Sequence, residues 1–369
     1  MEQKKGTQWV PKKQEDPGLL ARLSRPTGPV DVVLDTDTYN EIDDQFAVSY
    51  LICSAEKLHL QAIYAAPFFN EKSTGPADGM EKSYLDTDTY NEIDDQFAVS
   101  YLICSAEKLH LQAIYAAPFF NEKSTGPADG MEKSYQEILN ILTLMGKDEL
   151  KKSVYKGSTG YLPDEETAVE SPAAADLAAR AMNYTPEKPL YVLAIGAITN
   201  VASAILKNPD IIDRIVIVWL GGNALHWPEN KEFNLYQDVA AARIIFECGA
   251  ALVQLPCSGV VSEVTTTGPE LDAYLKGKNR LCDYLVSTTK TEGRRCSNEL
   301  AWSRVIWDIT TVAWLLDERF MEDYLMPSPI PEYDGHYSVD PKRHLMRYVY
   351  HVNRDKVFSD LFTKLANFG

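Results

Sequence analysis

The sequence predicts an α/β fold, a mostly parallel sheet flanked by helices on both faces around a Rossmann-like core. Three observations carry this. Short aliphatic, β-branched runs recur along the chain, Val30 to Leu34 and Arg214 to Leu220 among them, without the alternation of a strand that has one wet face. Segments of helical periodicity separate them. Several runs stop on Asp, Gly or Asn, residues that turn a strand into the next helix or loop.

Val30 to Leu34 reads as the first buried strand and ends at Asp35. A helix follows. Asn40 caps it, Glu41, Asp43 and Asp44 occupy the first turn where acids suit the helix dipole, and Phe46, Ala47, Tyr50 and Leu51 form its apolar face. Leu60 to Ala66 is the second strand, ending at Pro67 and Asn70, and Gln136 to Met145 is a helix. Leu190 to Ile195 is a strand that Gly196 turns into a helix through Thr199 to Leu206. Arg214 to Leu220 is a strand stopped by Gly221 and Gly222, Gln237 to Glu247 is helical, Ala251 to Leu255 is a strand, and Glu299 to Leu316 is a long helix. Ligands of such sheets bind beyond the C-terminal ends of the strands.

The length of 369 residues suits two domains or one large one, but an internal repeat decides between them. Residues 34–84 recur letter for letter as 85–135, and the copies abut. Two identical copies in an otherwise unrepeated chain read as a tandem duplication, not as a solenoid. Removing one copy leaves 318 residues, so residues 1–369 are read as a single domain carrying an extra block, with about 76–126 as the inserted segment. The net charge of -17 leaves no basic stripe for nucleic acid or an anionic membrane, and each copy contributes nine acids against three lysines. No run is long and apolar enough to span a bilayer, the N-terminus is polar, and a cytoplasmic location is expected. The six cysteines are scattered without metal-ligand spacing and read as free thiols.

The sharpest local feature is DTDTYNEIDD, which crowds Asp35, Asp37, Asp43 and Asp44 into a strand-to-helix turn. Carboxylates this close repel unless solvated, protonated or neutralised, and a hard divalent cation neutralises them well. An EF-hand is excluded, because the positions for its Gly and final Glu hold Asn40 and Phe46.

VVLDTDTYNEIDDQFA resembles the N-terminal signature of the inosine-uridine-preferring nucleoside hydrolase family. AIGAITNVASAI (194–205), VIVWLGGN (216–223), EFNLYQD (232–238) and the pair Trp307-Asp308 resemble later motifs of that family in the same order. The resemblance implies a nucleoside hydrolase-like fold and a Ca²⁺-dependent N-glycosidase of nucleoside catabolism or purine salvage. By that likeness Asp37, Asp44 and Asp308 bind Ca²⁺ through carboxylates and Ile195 through its main-chain oxygen. Asp37 is also the general base on the attacking water, and Asp35 sits behind the ligands. Asp43, Asn70 (or its duplicate Asn121), Glu232 and Asn234 hold the ribose. Members of the family are commonly oligomeric, which carries over the expectation of a homo-oligomer.

Two departures from the family pattern matter. Asp37 and Asp43 are two residues further apart than in the commoner motif, which tolerant Ca²⁺ geometry absorbs. Where many members have a leaving-group His, this chain has Trp307, as in the purine-preferring branch, so Trp307 is expected to stack on the base. His226 is the candidate for a 5′-hydroxyl contact or for the missing acid. VVLDTDT also resembles the opening of haloacid-dehalogenase-type Mg²⁺ phosphatases, but Tyr39 stands in a Thr position and EFN and WD have no role there. A nucleoside-binding relic disabled by its duplication is the non-enzymatic alternative.

Only the first copy follows an intact strand, and only the second runs on into QEILNIL. A crossing in the NEKSTGPADG loop keeps Asp43, Asp44 and Asn70, whereas one in the acidic loop uses Asp94, Asp95 and Asn121; the former leaves the metal loop contiguous. Asp35→Asn with Asp37→Asn is accordingly expected to abolish hydrolysis while Asp86→Asn with Asp88→Asn spares it. Unchanged activity in the first pair refutes that choice.

Overall fold

The computed structural model describes residues 16–25, 30–36, 38–39, 50, 58–65, 88–89, 114–121 and 123–368. The sheet strands are β1 (Val30–Thr36), β2 (Leu58–Ala65), β3 (Ile114–Ala116), β4 (Val154–Tyr155), β5 (Leu190–Ala194), β6 (Ile215–Leu220), β7 (Ala251–Leu255), β8 (Met321–Pro327) and β9 (Leu345–Val352). Their order is β8-β9-β7-β6-β5-β1-β2-β3-β4. β8 runs antiparallel to β9 at one edge, and the other pairings in this sheet are parallel. The chain leaves β1 toward β2 on one side, while β5 and its successors fill the other. β1 and β5 therefore flank the point where strand order reverses, and such sheets open a crevice there.

β5 and β6 are buried along their whole length, because helices cover both faces. Alternate residues serve two cores. Val216, Val218 and Leu220 face a layer that includes α1 (Pro127–Leu144), α6 (Arg280–Cys296), α7 (Ile309–Leu316) and α8 (Arg354–Ala366). Ile215, Ile217 and Trp219 face α2 (Pro172–Arg180), α3 (Thr199–Lys207) and α5 (Val239–Glu247), the last entered through the short α4 (Phe233–Gln237). Among the described residues no helix is long and apolar enough to cross a membrane. Cys248, Cys257, Cys282 and Cys296 are free thiols.

Most predicted elements stand within a residue or two, and three regions differ. The helix expected over Glu299–Leu316 is only Ile309–Leu316. Before it, the Trp302 ring lies against Gly268 and Gly293, and Arg304–Val305 pairs with Thr265–Thr266, which keeps the chain extended as far as Asp308. Arg280–Cys296 is a helix that polar composition hides, capped by Asn279 and buried only along Leu281, Cys282, Leu285, Val286, Thr289, Glu292 and Gly293. The helix expected from Gln136 begins at Pro127, a proline at the first helical position with Asp129 in the first turn. The helix expected after Asn40 lies outside the described residues except for Tyr50, which is buried against Phe320 with Lys364 over its ring.

Both copies of the repeat reach the sheet. β2, from the first copy, parallels β1 along its length, from Val30 opposite Leu58 to Thr36 opposite Ala65. β3, from the second, meets the same partners: Tyr64 and Tyr115 both register with Asp35 and with Tyr155, and Ile63 and Ile114 both with Val154. Thr38–Tyr39 also lies parallel to Asp88–Thr89.

One buried acid holds three segments of the layer behind the pocket. Asp238 accepts from Leu162 N at 3.0 Å, Thr199 Oγ1 at 2.6 Å and Ala241 N at 2.9 Å, the last capping α5. Burial nevertheless dominates and pushes its carboxyl up to about 6. A raised folded-state value means that Asp238 contributes most stability below its ordinary value of 3.8 and loses it as pH rises through about 6. The stability of the native chain relative to Asp238→Asn should therefore fall by about 2 kcal/mol between pH 4 and pH 7 in urea unfolding. A difference that stays flat with pH refutes this.

Candidate active site

A cavity of about 250 Å³ opens at the strand-order reversal, beyond the C-terminal ends of β5 and β6. Gly221-Gly222 make the turn between two of its lining residues, Leu220 and Asn223. A Cβ on Gly221 would lie 2.3 Å from the Trp219 ring, and Gly222, at φ +77°, would place one 2.1 Å from the Tyr337 hydroxyl. The backbone can turn here only without side chains. Gln254 Nε2 donates to Gly221 O at 3.0 Å and to the Tyr337 hydroxyl at 2.8 Å, which pins the turn from below. Beyond it, Asn223 donates from its backbone to Asn230 Oδ1 at 2.7 Å and accepts from Ser258 N at 3.1 Å, joining three loops of the wall.

Glu232 and Asn234 come together at the start of α4, as the EFN motif predicts. The Glu232 carboxylate accepts from Gly222 N at 2.7 Å, Asn234 N at 2.9 Å and Leu235 N at 3.0 Å, so it caps α4 and fastens that helix to the glycine turn. Burial holds its carboxyl above the ordinary range, against the opposing pull of these donors and of the Cys257 thiol. Asn234 Nδ2 donates at 3.1 Å to both Ile195 O and Leu220 O, the carbonyls just past β5 and at the end of β6. The main-chain oxygen expected to bind a metal is thus at the cavity with one lone pair engaged.

Trp307 and Asp308 line the same cavity. Asp308 is 1% exposed and precedes the first turn of α7 without capping it. Trp307 is partly buried, with the apolar layer behind it. His226 does not line the cavity. It is exposed, and its ring lies beside Gly259, while its neighbour Trp227 does form part of the wall. Asp35 is the penultimate residue of β1, the strand that pairs with β5 just before Ile195. Asp37, Asp43, Asp44 and Asn70 lie outside the described residues.

Among the described residues no three acidic, His or Cys side chains converge on one point. The described metal candidates are the Asp308 carboxylate and the Ile195 carbonyl, both oxygen donors at the cavity and chemically suited to a hard cation such as Ca²⁺. Thiolate and imidazole metals find less here, since Cys257 faces Glu232 and His226 lies outside.

Sequence reasoning missed Asn223, Lys231, Phe233 and Ser258, all of which line the cavity. Asn223 carried a signal, following directly on the strand-ending Gly-Gly. Ser258 carried none, because only the pairing of β7 with β6 brings it there.

The model of a family described as "Inosine-uridine preferring nucleoside hydrolase" matches residues 83–359. A pyrimidine-specific ribonucleoside hydrolase, RihA, of Citrobacter koseri is 27% identical over 182 residues, covering 43% of this chain and 55% of that protein. A protein of the same name from Escherichia coli O1:K1 is 26% identical over the same extent. The chain spans about half the length of these curated relatives (55%). A plant nucleoside hydrolase superposes with a TM-score of 0.63 at 18% identity, covering 92% of this chain and 99% of that one. A purine-preferring ribonucleoside hydrolase from Gardnerella vaginalis gives 0.61 at 18%, covering 92% and 98%. The ordered motifs, the cavity they line and the matched family model agree: the chain belongs to the inosine-uridine preferring nucleoside hydrolase family, whose members are hydrolases of N-glycosidic bonds.

Proposed function

We propose that this chain is a Ca²⁺-dependent N-ribohydrolase that cleaves nucleosides, purine nucleosides preferentially, into free base and ribose. The observation that carries the reading is the meeting of Trp307, Asp308, Ile195 and the capped start of α4 around one cavity at the strand-order reversal. Asp308 and the Ile195 oxygen, with Asp37 and Asp44, would hold the cation. A hard cation held there would orient a water and lower its pKa, and Asp37 would act as the general base that takes its proton, with Asp35 supporting the loop. Asp43, Asn70 or Asn121, Glu232 and Asn234 hold the ribose. A ribose hydroxyl donating to Glu232 replaces the Cys257 thiol, a weaker donor. A sugar lacking that hydroxyl would leave buried acceptors unpaired and is discriminated against.

Trp307 favours a purine because a bicyclic base offers a larger stacking face. His226 is exposed and lies outside the cavity, so we assign it neither the protonation of the departing base nor a 5′-hydroxyl contact. The curated relatives are pyrimidine-specific by name, which makes base preference the property to measure first.

With Ca²⁺ present, inosine and guanosine should release ribose faster than uridine and cytidine, and a Ca²⁺ chelator should abolish both reactions until the ion is restored. Equal or faster cleavage of uridine overturns the purine preference. Phosphate release from a phosphomonoester with no ribose release overturns the reaction class. Trp307→Ala should lower kcat/KM for inosine about tenfold more than for uridine, the size of one aromatic stacking contact. A proportional loss on both bases assigns Trp307 to packing alone.

A further inference from the structure

We infer that the working chain is a hybrid of its two repeats, crossing within the Ile-Tyr-Ala triplet that β2 and β3 share, so that the first copy supplies the metal-side strand and the second supplies Tyr115, Ala116 and the pocket-side loop Ala117–Asn121. The described parts of the first copy join the fold at three places. β1 runs through Asp35 and Thr36, Tyr50 is buried against Phe320, and β2 pairs with β1 as far as Ala65. From Tyr115 onward the second copy is held by the rest of the protein. Asn200, 0% exposed, donates from Nδ2 to Ala116 O at 2.6 Å, while its Oδ1 accepts from Ser158 N at 2.8 Å and Ser158 Oγ at 2.7 Å. Arg180 Nε donates to the Tyr115 hydroxyl at 3.2 Å.

The grip continues into the wall of the cavity. Phe119, fully buried, meets Phe233 edge-on at 5.1 Å, and Phe233 lines the cavity. Phe120 N donates to Gln237 Oε1 at 2.7 Å, on the far end of the same helix, α4. Asn121 turns the chain, accepting from Lys123 N at 2.8 Å, and α1 begins six residues later. The Ile-Tyr-Ala triplet is the point of exchange, because β2 and β3 present it to the same partners in the same register.

This moves the inserted block from 76–126 to about 64–114, pairing Asp43 and Asp44 of the first copy with Asn121 of the second. Closing a longer connection between Ile63 and Tyr115 costs little, since loop-closure entropy grows only with the logarithm of length. The sequence alone cannot place the crossing: deleting any 51 residues within the repeat yields the same parent, so only packing distinguishes the positions.

Matched substitutions in the full chain test the inference. Phe119→Ala should lower Tm on the order of 5 °C, the scale of a lost core aromatic, whereas Phe68→Ala should leave Tm within about 1 °C. If Phe119→Ala yields no folded protein, Phe119→Leu against Phe68→Leu gives the same comparison. A larger drop for Phe68, or equal drops, overturns the inference. The activity arm rests on the proposed hydrolase reading: Asn121→Ala should raise KM for inosine tenfold or more, and far more than Asn70→Ala. A larger rise at Asn70 also overturns it. Should the chain hydrolyse no nucleoside, the hydrolase reading fails, and the Tm comparison still decides which copy builds the wall.

Discussion

The carbonyls of Ile195 and Leu220 lie where parallel strands run out of sheet partners, and a single side-chain amide, that of Asn234, gives both of them a donor. Buried backbone oxygens need such donors. Supplying both from one residue fixes the spacing of two strand ends. Asn234 is itself held by Glu232, whose carboxylate also ties the glycine turn, so strand ends, turn and helix start form one hydrogen-bonded unit. The cavity is the space this unit leaves open. Trp307 and Asp308 face it from just before α7, which packs in the layer on the other side.

Much of this was legible in the sequence because parallel strands buried on both faces have few alternatives to a continuous apolar run. The runs at 190–195, 214–220 and 251–255 fall almost on the strands observed. Motif order placed Ile195, Glu232, Asn234, Trp307 and Asp308 around one cavity. What stayed hidden depends on tertiary contact. Arg280–Cys296 is too polar to announce itself, and the stretch before Asp308 has helical composition but is held extended by Trp302 and the Thr265–Thr266 pairing. His226 sat at a suggestive distance before Glu232, yet the turn at Ala224–Trp227 directs its neighbour to the cavity and leaves it on the surface.

The duplication poses a different problem, since sequence patterning assigns identical strength to both copies. Propensity, periodicity and motif are equal by construction. Only the surroundings differ: Asn200, Arg180, Gln237 and Phe233 each have one set of hydrogen-bonding or ring-packing requirements to meet. Side chains at the boundary of the repeat therefore carry information that the repeat itself lacks.

The glycine turn under the cavity has a consequence for anyone reshaping the pocket. Residues 221 and 222 have no room for a first carbon, one against an indole and the other against a phenol already engaged by Gln254, so a mutational library spent there returns mostly misfolded chains. Trp227, 44% exposed, and Lys231, also exposed, border the same cavity with solvent behind them. That rim has room for other side chains, while the glycine turn is set by the fold.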